Sequence, residues 1–155
     1  MEKNFGDILT MENKEFKKII DKLAREIHFE PISNGWIKES NECILMLNLQ
    51  KSSFSNSYYL NISIFIQGAF GRYHSKSKEL IKSSGDIFRR QPKEYEAIFD
   101  LEVPIEDSER KLKLEELFHN FITVLADKSS TRNGIKELGE NGYIFINPVL
   151  KIELC

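Results

Sequence analysis

Two alternating runs, Cys43–Gln50 and Tyr58–Ile66, constrain this chain more than any other feature. In the first, Leu45, Leu47 and Leu49 fall on one face and Ile44, Met46, Asn48 and Gln50 on the other. In the second, Tyr58, Leu60, Ile62, Ile64 and Ile66 oppose Tyr59, Asn61, Ser63 and Phe65. Side chains of a strand point to opposite faces in turn. Two such runs joined by the turn-rich loop Ser52–Ser57 therefore predict an antiparallel hairpin. Its aliphatic face must be covered. The nearest cover is an amphipathic helix over Asn13–Phe29, in which Phe16, Ile19, Ile20, Leu23 and Ile27 follow the i, i+3, i+4, i+7 spacing of one buried stripe. Pro31 is expected to end that helix, since proline disfavours helix in the residue before it and has no N–H to donate.

Around this centre the pattern predicts a strand at Gly35–Glu39 turning at Asn41-Glu42, and further strands at Ile87–Arg90 and Tyr95–Glu102. A second long helix is expected over Ser108–Lys128, with Leu112, Leu117, Phe118, Phe121, Ile122 and Leu125 as its stripe. Glu106, Asp107 and Glu109 favour its positive N-terminal end, and Asp107 or Ser108 is its natural cap. Residues 76–83 and 131–138 suit short helices, the latter stopping at Gly139, and Tyr143–Leu154 is expected to be extended, interrupted by Pro148. The fold class that follows is α+β: a mainly antiparallel sheet with two long helices packed on it. With 155 residues, 41% apolar and 30% charged, the chain suits a single globular domain over 1–155.

Several classes are disfavoured. A net charge of −2 gives no global attraction to nucleic acid or anionic lipid. Cys43 and Cys155 form no CxxC or Cys/His cluster, so neither a disulfide framework nor a metal site is indicated, and no cofactor is expected. The stretch MEKNFGDILTMENKEF lacks the apolar segment of a leader. The longest apolar run, Ile44–Leu47, falls far short of the roughly 20 residues of a membrane span. A cytoplasmic setting without membrane association is expected.

Trp36, the segment Ile44-Leu45-Met46-Leu47-Asn48-Leu49-Gln50-Lys51-Ser52 and the segment Tyr58-Tyr59-Leu60-Asn61-Ile62 resemble the core of the bacterial domain-of-unknown-function family 4304. The arginine-bearing segment Asp86–Arg90 and the flanking helices follow the same order, so the resemblance spans most of the chain. Its specific part is Gln50-Lys51-Ser52 and Tyr59-Leu60-Asn61. The resemblance implies a compact α+β bacterial domain, and some small domains of this kind resemble components of toxin–immunity or defence systems.

The second hairpin face carries the leading site. Asn48, Gln50, Asn61 and Ser63, with Tyr59 and Trp36, are expected on one side of the sheet, with Arg89 and Arg90 at its rim. Amides and aromatic rings donate, accept and stack, which suits a binding groove. The plainer alternative is an ordinary outer face or one buried beneath a helix. A basic stretch, from Arg72 to Lys93, precedes an acidic one, from Glu94 to Glu109; this split attracts an oppositely charged partner or is neutralised by pairing between neighbouring elements. His28, His74 and His119 show no ligand spacing, and Gly68-Ala69-Phe70-Gly71 lacks the Lys-Ser/Thr of a phosphate loop. The residues thus point to a non-catalytic binding domain with a protein partner, its oligomeric state open. The alternative is a small enzyme or nucleic-acid-processing domain acting on a phosphate-bearing substrate through Arg89, Arg90 and His74; no nucleic-acid motif accompanies it.

Overall fold

The computed structural model describes residues 11–155; residues 1–10, where most of the leader-like reading was made, lie outside them. Five strands form one antiparallel sheet in chain order: β1 (Glu30–Ile32), β2 (Gly35–Glu39), β3 (Cys43–Lys51), β4 (Tyr58–Ile66) and β5 (Ile87–Arg90). The central hairpin sets the register, with Leu47 opposite Ile62, Asn48 opposite Asn61 and Gln50 opposite Tyr59. The chain is α+β, as the alternation and the helical stripe predict.

Among the described residues the five α-helices lie on one face. These are α1 (Asn13–Glu26), α2 (Asp107–Leu117), α3 (Thr123–Lys128), α4 (Arg132–Glu140) and α5 (Pro148–Leu154). Phe16, Ile20 and Leu23 of α1, Leu114 of α2, Leu125 of α3, Ile135 of α4 and Leu150 of α5 share one core with Leu45, Leu47, Leu60, Ile62 and Ile64. The opposite face has a small second core of Ile37, Ile44, Met46 and Phe65 under Leu80, which lies in a 3-10 turn over Lys78–Lys82. That cover extends over only half of the face.

Four expectations change. First, α1 stops well before Pro31. His28 takes the left-handed conformation (φ 69°) and Phe29 N–H donates to Ala24 O at 3.0 Å, which satisfies the last carbonyls and turns the chain. Pro31 instead sits in the edge strand β1, where its missing donor costs no ladder bond.

Second, the long helix contains a π-helical turn over Phe118–Ile122, in which Thr123 Oγ1 donates to Phe118 O at 2.8 Å. Before this turn the buried face is Arg110, Leu114 and Leu117, so Leu112, about 200° around the helix from Leu114, is exposed.

Third, residues 93–99 form a 3-10 helix and not a strand. Tyr95, Ile98 and Phe99 are buried at a helical spacing. The segment is held by Arg110, a fully buried side chain whose Nη1 donates to Ile98 O at 2.6 Å and Asp100 O at 3.2 Å, and whose Nη2 donates to Val103 O at 2.8 Å. Desolvation lowers the pKa of this guanidinium, against smaller opposing contributions from Asp107 and Asp100, and its hydrogen bonds go to backbone carbonyls.

Fourth, the chain ends in α5. Asn147 Oδ1 accepts from Leu150 N–H at 2.8 Å and Pro148 takes the first helical turn, so the proline read as a strand breaker is a helix starter. Among the described residues no helix is long and apolar enough to cross a membrane.

Arg110→Met keeps the apolar stem but strips three buried carbonyls of their donors. It is expected to lower the unfolding free energy by about 3 kcal/mol in urea denaturation. A loss below about 1 kcal/mol would mean that the 93–103 segment finds other donors.

Candidate functional site

Paired residues of an antiparallel sheet share a face, so the register assigns every candidate to one side or the other. Asn48 pairs with Asn61, Gln50 with Tyr59, and Asn61 with Arg90, so these five side chains lie together on the face away from the helices. This is the half that Leu80 leaves uncovered: Gln50 and Arg90 are exposed, and Asn48, Tyr59 and Asn61 are half-buried. Ser63, expected beside them, is buried, in line with the second core.

The patch is internally organised. Asn61 Nδ2 donates to Gln50 Oε1 at 2.8 Å and, more weakly, to Asn48 Oδ1 at 3.5 Å, while Asn48 Nδ2 donates to Asn34 O at 3.3 Å. Arg90 lies over the Tyr59 ring, its guanidinium carbon 3.9 Å from the ring centroid, and its Nε donates to Asn61 Oδ1 at 3.2 Å. Stacking and one hydrogen bond fix the guanidinium plane, and neither terminal nitrogen makes a hydrogen bond among the described residues. No salt bridge reaches Arg90 among the described residues. The result is a donor-rich surface with a pre-positioned guanidinium, the geometry that recognises carboxylates and other planar oxygen acceptors.

Two expected members sit on the other face. Trp36 pairs with Leu47, which turns its indole into the helix-side core, where Nε1 donates to Asp21 Oδ1 at 2.8 Å. Arg89 pairs with Ile62 and also turns toward the helices. Its Nη1 donates to Tyr143 O at 2.5 Å, and its guanidinium lies 4.7 Å from the centroid of Phe121. Burial lowers the pKa of Arg89, so it is a tie between sheet and helices and not a rim residue.

Nor does His74 join Arg90. It packs on Phe65 and exchanges hydrogen bonds with Gln67, six residues along β4 from Asn61, or about 20 Å. The phosphate-handling trio Arg89, Arg90 and His74 is therefore not brought together. The basic stretch is partly neutralised as well. Arg72 pairs with the buried carboxylate of Asp86 at 3.5 Å and Lys76 pairs with Glu30, so its partners come from outside the acidic stretch at 94–109.

A neighbouring groove of about 550 Å³ was not legible in the sequence. Lys17 and Asp21 of α1, the Ser33-Asn34 turn, Trp36, Asn48–Lys51 and Tyr58 line it, so it meets the amide patch at Asn48 and Gln50. Only the distance between the end of β2 and the end of β3 creates it, and no single residue signals that difference.

The thiols offer no nucleophile here. Cys43 is buried, and desolvation, with a smaller contribution from Glu42, pushes its pKa up to about 12. A native sample titrated with a thiol reagent at pH 8 is expected to show one reactive thiol, Cys155, and a second only after unfolding. Because the folded state raises this pKa, the stabilisation tied to the neutral thiol is whole below the ordinary value near 9 and declines as pH rises from there toward 12. The two arginines also separate by measurement. Arg89→Ala is expected to cost about 2 kcal/mol of stability, whereas Arg90→Ala is expected to cost under about 1 kcal/mol. Equal losses would contradict the assignment of the two side chains to opposite faces.

Comparison with known proteins gives a family and no assigned activity. No curated protein and no solved structure matches the chain. Residues 20–145 match the family described as Domain of unknown function (DUF4304), a span that holds the whole sheet, α2, α3, α4 and the amide patch. The chain belongs to the DUF4304 family.

Proposed function

We propose that this chain is a non-catalytic binding domain that engages a protein partner through the uncovered half of its sheet: Asn48, Gln50, Tyr59, Asn61 and Arg90. One observation carries the reading: Arg90 is stacked on Tyr59 and tied to Asn61, yet no carboxylate of the described residues pairs with it. Holding a long, charged side chain in one orientation costs conformational entropy. Here that cost is met before any partner arrives, which is the arrangement that favours affinity on binding. The amide row supports the same reading, since none of the five residues is acidic and so none of them repels an acidic partner.

A bacterial, cytoplasmic setting of the immunity or defence type belongs to this proposal, because a small domain that neutralises a partner needs a surface and no active centre. The enzymatic reading has less support. It would need an arginine and a base to converge at one pocket, and Arg89, Arg90 and His74 occupy three separate places.

The test is retention of a partner from native extract on the immobilised chain, compared between wild type and the variants Arg90→Glu and Asn61→Asp. Both variants are expected to fold with unchanged thermal midpoints, within about 3 °C, and to lose at least about tenfold in affinity for the retained partner. Full retention by Arg90→Glu would sink the proposal.

A further inference from the structure

Helix α5 is apolar on two sides. Leu150 and Leu154, one turn apart, are buried in the main core, while Val149 and Ile152, three residues apart, share the outer side and are exposed. A helix that is apolar all round is normally a buried one, so this outer side calls for a cover. Its surroundings extend the same surface. Phe70 N–H donates to the Glu153 carboxylate, which sets the exposed Phe70 against α5, and Phe145 stands 79% exposed in the loop before the helix. Of the eight large apolar side chains exposed among the described residues, five fall in the two segments 70–73 and 145–152. Such a concentration of apolar surface marks a contact with another molecule. Beside it lies a pocket of about 380 Å³, lined by Phe145 and by the buried side chains of Ile144, Ile146 and Leu154.

Charge selects the occupant. Three charged side chains also line the pocket: Lys136 and Glu140 of α4, and Lys151 of α5. None of them forms a salt bridge among the described residues, although Lys136 and Glu140 are only one helical turn apart. In a two-fold pair, each contact across the interface is returned by symmetry, so a charged surface can be its own partner only when it holds both signs. The amide patch holds one sign; this surface holds both. We propose that a second copy of this chain covers it, in a two-fold pair that buries Phe145, Val149 and Ile152 of both copies and sets each Glu140 against the other copy's Lys151. The pairing does not rest on the reading of the amide patch. Because α5 lies on the helix side of the sheet, it leaves both amide patches open, so the pair would offer two partner sites whose joint use multiplies affinity.

The test is the oligomeric state of the full chain, followed by sedimentation across a range of concentrations, with circular dichroism to verify the fold of each variant. A monomer–dimer equilibrium is expected. Ile152→Glu and Val149→Glu change side chains that the single copy leaves exposed, and each is expected to weaken the dimer at least tenfold with the dichroism unchanged. Glu140→Lys and Lys151→Glu are each expected to weaken it by at least about fivefold, since symmetry repeats the repulsion. Mixing those two single variants, or combining both changes in one chain, is expected to restore the dimer, because either arrangement sets opposite charges together again. A chain that stays monomeric at every concentration would overturn the proposal. So would a dimer untouched by Ile152→Glu and Val149→Glu, whose contact must lie elsewhere, or charge variants that the mixture fails to rescue. A monomer that sediments with vesicles containing phosphatidylglycerol would overturn it in favour of a lipid surface. A monomer that dimerises only after residues 1–10 are deleted would overturn it in favour of the chain's own amino terminus. All of these outcomes leave the amide patch untouched, since its partner is tested separately through Arg90→Glu.

Discussion

The register of the β3–β4 hairpin is the constraint on which the rest of the molecule depends. With Leu47 opposite Ile62 and Asn48 opposite Asn61, one face of the central hairpin is mainly apolar and the other is half apolar, half amide. A slip of one residue would turn one strand over relative to the other, carrying Asn48 or Asn61 toward the helices and the aliphatic side chains of that strand away from them. Burying an unpaired amide costs on the order of 1–3 kcal/mol and exposing a buried leucine or isoleucine about as much. Alternative pairings are therefore remote, and the register is strongly specified. Once it is set, the face to which each helix must pack follows, and so does the side that each arginine of β5 takes.

Arginine is used in two opposite ways as a consequence. Arg89, Arg110 and Arg132 are spent on backbone carbonyls. Arg89 reaches Tyr143 O, Arg110 gathers the 98–103 segment, and Arg132 bonds both Gln67 O at 2.5 Å and Glu153 O at 2.7 Å. Each ties an irregular stretch or a helix end to another element, where a lost donor would leave buried acceptors unpaired. Arg90 differs because it lies one residue further along a strand. It emerges on the open face, where it stacks on Tyr59, and no carboxylate among the described residues pairs with it.

This parity explains what was legible in the sequence. The alternating runs and the α1 stripe are strong periodic signals, and they locate the sheet, its main core and the amide row. Trp36 and Arg89 were misplaced because the face of a residue depends on which partner strand it meets, and the register of β2 and β5 is written in no local pattern. Tyr95–Glu102 read as a strand because what holds this stretch in its 3-10 form is Arg110, eight residues beyond its end. Pro148 read as an interruption, although with Asn147 before it the same residue begins a helix; the Asn-Pro pair was the available signal. The groove beside β3 was beyond reach, since it arises where α1, the Ser33-Asn34 turn and β3 meet and not from any residue type.

The sheet's edges show how the chain limits unwanted pairing. Exposed strand edges invite unwanted pairing, and most of this sheet's edge is protected. Strand β1 is three residues long and carries Pro31, and β5 is four residues long, with Arg89 Nε bonded to Arg90 O at 2.8 Å across its outer side. At the other end of β2, Ser40 closes the ladder against Cys43, so that corner presents no free pair.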